Sequence, residues 1–129
     1  MPLEAEQHAV LSETACCFSG ICSLNGADVL YKDFDDAINL FKDLYKENPD
    51  MRAAIIYRRG LNGIETELRK RKLRCVFHTI EERGISVITV EEAKGLEFGA
   101  VVVVDNDMTG NESYISYTRA LDNLIITSL

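Results

Sequence analysis

Residues Ala100 to Val104 read Ala-Val-Val-Val-Val, five apolar residues with no polar alternation. A strand wet on one face alternates apolar and polar side chains, so such a run needs cover on both faces, as strands of a parallel sheet have. Ala53 to Tyr57 (Ala-Ala-Ile-Ile-Tyr) makes the same demand. From near Ala27 onward, short apolar runs alternate with helical patterns, which is the signature of βα units around a mostly parallel sheet. The expected strands are Asp28 to Tyr31, Ala53 to Tyr57, Arg74 to His78, Ile85 to Val90, Ala100 to Val104 and Leu124 to Thr127. The fold class that follows is α/β, a three-layer arrangement with a mostly parallel sheet.

Three helices fit between these strands. Phe34, Ala37, Ile38, Phe41 and Tyr45 recur at helical spacing, Asp33 can cap the start, and Asn48-Pro49 stops the helix. A second helix runs from about Asn62 to Lys72, with Leu61, Ile64 and Leu68 inward and Arg and Lys outward. A third, roughly Ser113 to Asn123, carries Arg119. Residues 1–26 are weakly patterned and read as a leader into a single domain over 27–129. A chain of 129 residues that is 47% hydrophobic has enough apolar surface for a real core. No apolar run nears the ~20 residues that span a bilayer, and the N-terminus lacks a basic region followed by an apolar one. The expectation is a soluble, cytoplasmic protein with no membrane partner.

Charge bears on partners. Lys and Arg number 14 against 21 Asp and Glu, a formal net charge of −7. Non-specific nucleic-acid binding neutralises phosphates with cations, so this chain alone is expected to bind DNA poorly. One basic run stands out, Arg69-Lys70-Arg71-Lys72 with Arg74 beyond, and Arg58-Arg59 lie upstream. It reads as the solvated C-terminal end of a helix, where cations suit the macrodipole, or as a nucleic-acid contact. Cys16, Cys17, Cys22 and Cys75 are the four thiols, and with His8 they match none of the structural zinc spacings. Reduced thiols in a reducing compartment are expected, and no metal site.

The chemistry concentrates in the last forty positions. A strand feeds a tight segment with Gly95 and then a buried strand, which holds Lys94 and Glu97 near a sheet edge where ligands of open α/β sheets sit. Lys94 can reach a phosphate, Gly95 lets backbone approach closely, and Glu97 can accept hydrogen bonds from ribose hydroxyls. The plainer alternative makes Gly95 a turn, Leu96 and Phe98 core plugs, and the two charges solvated. Arg119 offers a rigid, always-charged fork of donors that suits a phosphoryl group in transfer; the plainer alternative is a surface ion pair. Val101-Val102-Val103-Val104-Asp105-Asn106-Asp107 has the shape of a Walker B strand ending in a magnesium ligand. No Gly-x-x-x-x-Gly-Lys-Ser/Thr stretch precedes it to cradle phosphates, so Asp105 and Asp107 are expected to cap the turn through Gly110-Asn111.

Thr89-Val90-Glu91-Glu92-Ala93-Lys94-Gly95-Leu96-Glu97-Phe98, continuing to Val104, resembles motif V of the UvrD/Rep-like superfamily 1 helicases. Ser113-Tyr114-Ile115-Ser116-Tyr117-Thr118-Arg119-Ala120, continuing to Ile126, resembles motif VI, in the family's order and at a compatible spacing. Ala53-Ala54-Ile55-Ile56-Tyr57-Arg58 followed by Ile64-Glu65-Thr66-Glu67-Leu68 is similar to a strand and helix of the family's second RecA-like domain, so the resemblance covers 27–129. It implies a RecA-like domain that supplies Arg119 as an arginine finger on the γ-phosphate of ATP. Lys94, Gly95 and Glu97 would contact phosphate and ribose, and Thr89 and Arg58 would face nucleic acid. ATP and Mg2+ would be held by a separate P-loop domain of the same protein, so this chain alone would not hydrolyse ATP. The motif IV arginine of the family is missing too, as in a piece cut from a longer gene product.

There is one departure. Many relatives carry His-Ser or His-Lys before Ala-Lys-Gly, where this chain has Glu91-Glu92, and two carboxylates repel a phosphate. Helicase-like ATPases of the family that remodel RNA polymerase also lack that histidine, which makes RNA polymerase a candidate partner. The alternative from another class is a non-catalytic RecA-like module that binds a protein partner.

Overall fold

A computed structural model describes residues 28–81 and 83–129; the expected leader, with Cys16, Cys17, Cys22 and His8, lies outside the described residues. The strands are β1 (Asp28–Tyr31), β2 (Arg52–Tyr57), β3 (Val76–Phe77), β4 (Gly84–Thr89), β5 (Phe98–Val104) and β6 (Ala120–Thr127). The helices between them are α1 (Phe34–Glu47), α2 (Ile64–Lys70), α3 (Val90–Ala93) and α4 (Gly110–Tyr117).

The six strands form one sheet in the order β1-β6-β5-β2-β4-β3, and every neighbouring pair is parallel. Central strands of such a sheet touch helices on both sides, and all of Ala100, Val101, Val102, Val103 and Val104 are at 0% exposure. On one face Phe34, Ile38 and Phe41 of α1 and Ile64 and Leu68 of α2 pack over Ile55, Val87, Val102 and Ile125. On the other, Val90 and Ala93 of α3 and Tyr117 of α4 pack over Ile56, Ile88, Val101 and Leu124. Each fully buried Val, Leu, Ile or Phe contributes ~1.5–3 kcal/mol over leaving it exposed, so the central strands carry much of the fold's stability. The result is a three-layer, RecA-like α/β fold.

The first helix forms as its spacing predicts. Asp33 is its N-cap, accepting from the Asp36 N–H at 2.9 Å, and the Asn48 N–H returns to Leu44 and Tyr45 at the other end. Other boundaries move. The expected strand Arg74 to His78 shrinks to the edge pair Val76–Phe77. The expected strand Ile85 to Val90 gives up Val90, which opens α3 under a capping box: Thr89 Oγ1 accepts from the Glu92 N–H while Glu92 Oε1 accepts from the Thr89 N–H. The third helix is corrected most. It runs from Gly110 to Tyr117, not from Ser113 to Asn123, because a second capping box of Thr109 and Glu112 starts it early. Thr118 ends it, and Ala120 onward pairs with β5. Arg119 therefore sits in the turn between α4 and β6.

Asp105 and Asp107 also do other work than capping the turn. Asp105 Oδ2 accepts from Ser113 Oγ at 3.0 Å and from the Tyr117 hydroxyl, tying the end of β5 to α4. Burial first, then the Asp105 charge and its hydrogen bond, push the Tyr117 hydroxyl far above its ordinary 10.0, so it stays a donor. Asp107 takes φ 60, and its carbonyl accepts from Arg58. Among the described residues, no helix is long and apolar enough to cross a membrane.

Candidate functional site

The sequence-predicted residues are spread from one edge of the sheet to the other. Lys94, Gly95 and Glu97 lie in the segment that runs from α3 down to Phe98, the first residue of β5. Arg119 stands directly before Ala120, the first residue of β6. Glu97 and Arg119, next to the first residues of β5 and β6, belong to the amino side of the parallel sheet, while Lys94 and Gly95 stay close to α3, with the Lys94 N–H on the Glu91 carbonyl and the Leu96 N–H on the Ala93 carbonyl. The expectation was a place near a sheet edge; for Glu97 and Arg119 that edge is the amino one, whereas ligands of open α/β sheets usually sit at the carboxyl ends. Arg58 and Thr89, at the ends of β2 and β4, occupy the carboxyl edge. Seven residues of β5 separate the two edges, roughly 20 Å at ~3.3 Å per residue.

On the amino side, the Phe98 N–H donates to the Arg119 carbonyl at 2.8 Å, so residues twenty positions apart in sequence are held together by sheet pairing. Gly95 adopts φ 80, a left-handed conformation that favours glycine, and nothing stands within 4 Å of where its Cβ would be. Lys94, Gly95 and Glu97 are exposed, and neither charge joins an ion pair among the described residues. Arg119 is half-buried. Its Nη2 donates to Thr118 Oγ1 at 3.0 Å, while its Nε is shielded from solvent and has no hydrogen-bond partner. A guanidinium with an unmet donor is chemically suited to an anion.

The carboxyl edge is more heavily committed. Arg58 Nε pairs with Glu112 at 3.2 Å and its Nη1 donates to the Asp107 carbonyl at 3.0 Å. It braces the β5–α4 loop. Thr89 gives its hydroxyl proton to Glu92 Oε1 at 3.2 Å, so its donor is already used. His78, leaving β3 at φ 57, brings Nδ1 to 2.9 Å from the same Glu92 oxygen and Nε2 to 3.2 Å from the Tyr57 hydroxyl. An ionised Glu92 only accepts, so Nδ1 carries the proton, and a neutral ring accepts from Tyr57 at Nε2. Burial alone would raise the Glu92 carboxyl, but the Thr89 N–H and then His78 outweigh it, leaving it below its ordinary 4.5. These groups line a cleft of about 300 Å³ with Arg59, Gly60 and Asn62. Arg59, exposed and outside any ion pair among the described residues, is the free cation there.

The basic run resolves into helix-surface pairs. Arg69 meets Glu65 at 3.2 Å, Lys70 meets Glu67 at 3.2 Å, and Arg71 bonds Asp35 and Glu67, each at 2.8 Å. Lys72 and Arg74 remain, on the rim of a cleft of about 670 Å³ beneath α1. Cys75 is a free, half-buried thiol whose ionisation burial pushes up. Sequence reasoning did not single out Arg52, His78 or Glu92 as partners in a site. The Thr89-x-x-Glu92 pattern of a capping box could have signalled one of these contacts, and the sequence reading did not use it.

No family model matches the chain, and no curated protein matches it. Among solved structures, it is similar to the C-terminal domain of a possible DNA helicase from Lactobacillus plantarum WCFS1. The identity is 20% and the TM-score 0.57, over 80% of this chain and 73% of that one. A likeness at this identity speaks to the fold, and it agrees with the three-layer arrangement described above.

Proposed function

We propose that the chain is the second motor domain of an ATP-dependent, UvrD/Rep-like helicase or helicase-like translocase. It would close over ATP and Mg2+ held by a P-loop domain of the same protein. In this role Arg119 stabilises charge on the transferring γ-phosphoryl, Lys94 and Gly95 meet phosphate, and Glu97 accepts from ribose hydroxyls. Closure and release then drive movement on nucleic acid. The observation that carries the reading is the pairing of Phe98 with Arg119, which joins the two motif-like stretches at one edge. The shielded, unpartnered Arg119 Nε supports it, since a surface ion-pair arginine would have found its carboxylate. Arg58 and Thr89 serve the nucleic-acid side chiefly as braces, with Arg59 the cation left to meet phosphate.

A second reading is a RecA-like module without turnover that binds a protein partner, RNA polymerase among the candidates. The exposed Glu91 and Glu92 at the carboxyl edge favour it. Arg119→Ala, made in the longest native polypeptide, separates the two. The motor reading expects ATP turnover to fall by about a thousandfold, as for other trans-acting arginines, with an unchanged circular dichroism spectrum. Turnover equal to the parent's would remove the finger role.

A further inference from the structure

The amino side of the sheet holds a second arginine for which the motif-like stretches have no role. Arg52 is the first residue of β2, and its guanidinium carbon lies 5.3 Å from the centroid of the Phe98 ring. Phe98 pairs with Ala120 on β6, and Ala100 pairs with Ala53 on β2. Arg119 and Arg52 thus stand on opposite sides of Phe98, in strand columns about 10 Å apart. Arg52 Nε, like Arg119 Nε, is shielded from solvent with no hydrogen-bond partner, and Arg52 joins no ion pair among the described residues. Buried donors are almost always paired, so two unmet guanidinium donors flanking one phenylalanine form an unusual coincidence.

We propose that Arg52 and Arg119 form a two-guanidinium clamp for adjacent phosphates of a nucleoside polyphosphate, with Phe98 as the spacer that fixes their separation. Arg52 is then a positioning and affinity residue: it holds the phosphate chain so that Arg119 meets the terminal group. Two forks of donors on one chain of phosphates give directional hold that a lysine cannot reproduce. Exposed Glu97, the residue before Phe98, can accept from ribose hydroxyls and so favours a nucleotide over a bare polyphosphate. This inference rests on the reading of Arg119 as phosphate-facing.

The test uses the longest native polypeptide and three variants, Arg52→Met, Arg52→Lys and Arg119→Ala. Pyrophosphate and ADP are titrated calorimetrically, and KM and kcat for ATP are measured separately. Met keeps an unbranched apolar stem on Phe98, and Lys keeps the charge without the fork. The expected result is that Arg52→Met weakens pyrophosphate and raises KM by about tenfold or more with an unchanged melting temperature, with Arg52→Lys between it and the parent. Should Arg52→Met fail to fold, Arg52→Lys carries the same comparison at smaller amplitude. Unchanged pyrophosphate affinity and KM in both Arg52 variants, with turnover lost in Arg119→Ala, would overturn the clamp and leave the motor reading standing. Weakened pyrophosphate in the Arg52 variants with full turnover in Arg119→Ala would keep the anion site and remove the motor reading. Tighter binding of ADP than of pyrophosphate identifies the ligand as a nucleotide; equal binding assigns the site to free polyphosphate.

Discussion

Glu92 collects three donors on one oxygen: the Thr89 N–H, the Thr89 hydroxyl and His78 Nδ1. Those bonds favour the charged carboxylate, which lies below its ordinary 4.5 in the folded chain. A depressed folded value means stability that is complete above the unfolded value and lost as pH falls through the folded one. Glu112, held down by the Thr109 N–H before Arg58, has the same sign. The urea midpoint is therefore expected to be level near neutral pH and to decline below about pH 4.5. Glu92→Gln keeps an acceptor for the cap but cannot titrate, so its acid decline should be shallower. An identical slope in the variant and the parent would remove Glu92 from this account. The exposure of Glu92 keeps its share of the effect modest.

At the level of elements, the two capping boxes decide where α3 and α4 begin, and α4 in turn aims the turn that bears Arg119. Thr109→Ala is expected to cost about 1 kcal/mol, and Thr109→Ser much less, as read from urea denaturation. A loss within error for Thr109→Ala would mean that packing alone sets the helix start. What was legible in the sequence follows physical lines. Helix α1 announced itself because Phe34, Ala37, Ile38 and Phe41 repeat at the helical period behind Asp33. Strands β2 and β5 did so because burial on both faces leaves no polar alternation. The start of β6 was hidden by an irregularity: Phe98 pairs with Ala120 but Ala100 with Asn123, so three steps oppose two. That extra residue leaves Leu121 and Asp122 exposed together and breaks the period-two pattern, which let the stretch pass for helix. The motif-like residues were legible as a set, yet their placement on the sheet was not, because it depends on the direction in which parallel strands are strung together. Arg52 and His78 were illegible for a simpler reason, since each acts through side-chain contacts with residues distant in sequence.

For the whole molecule, charge and topology matter most. The excess of acidic groups gives a net charge of −7, and most of the basic run is spent on carboxylates of its own surface. Fluorescence anisotropy of a labelled single-stranded oligonucleotide with the 129-residue chain is expected to show no saturable binding at micromolar protein and ~150 mM salt. Tight, salt-sensitive binding would mean that Arg59 and its neighbours outweigh the overall repulsion. Strand order has a separate outcome, concerning how the sheet is assembled. β6 lies between β1 and β5, with Asp28 beside Asn123, so the first described strand is joined to the sheet only through the last. A chain emerging from the ribosome therefore makes β1 long before its neighbour exists, and closing so long a loop is slow. Until β6 arrives, both β1 and β5 are open templates for foreign strands, which makes the nascent chain a natural client for chaperones.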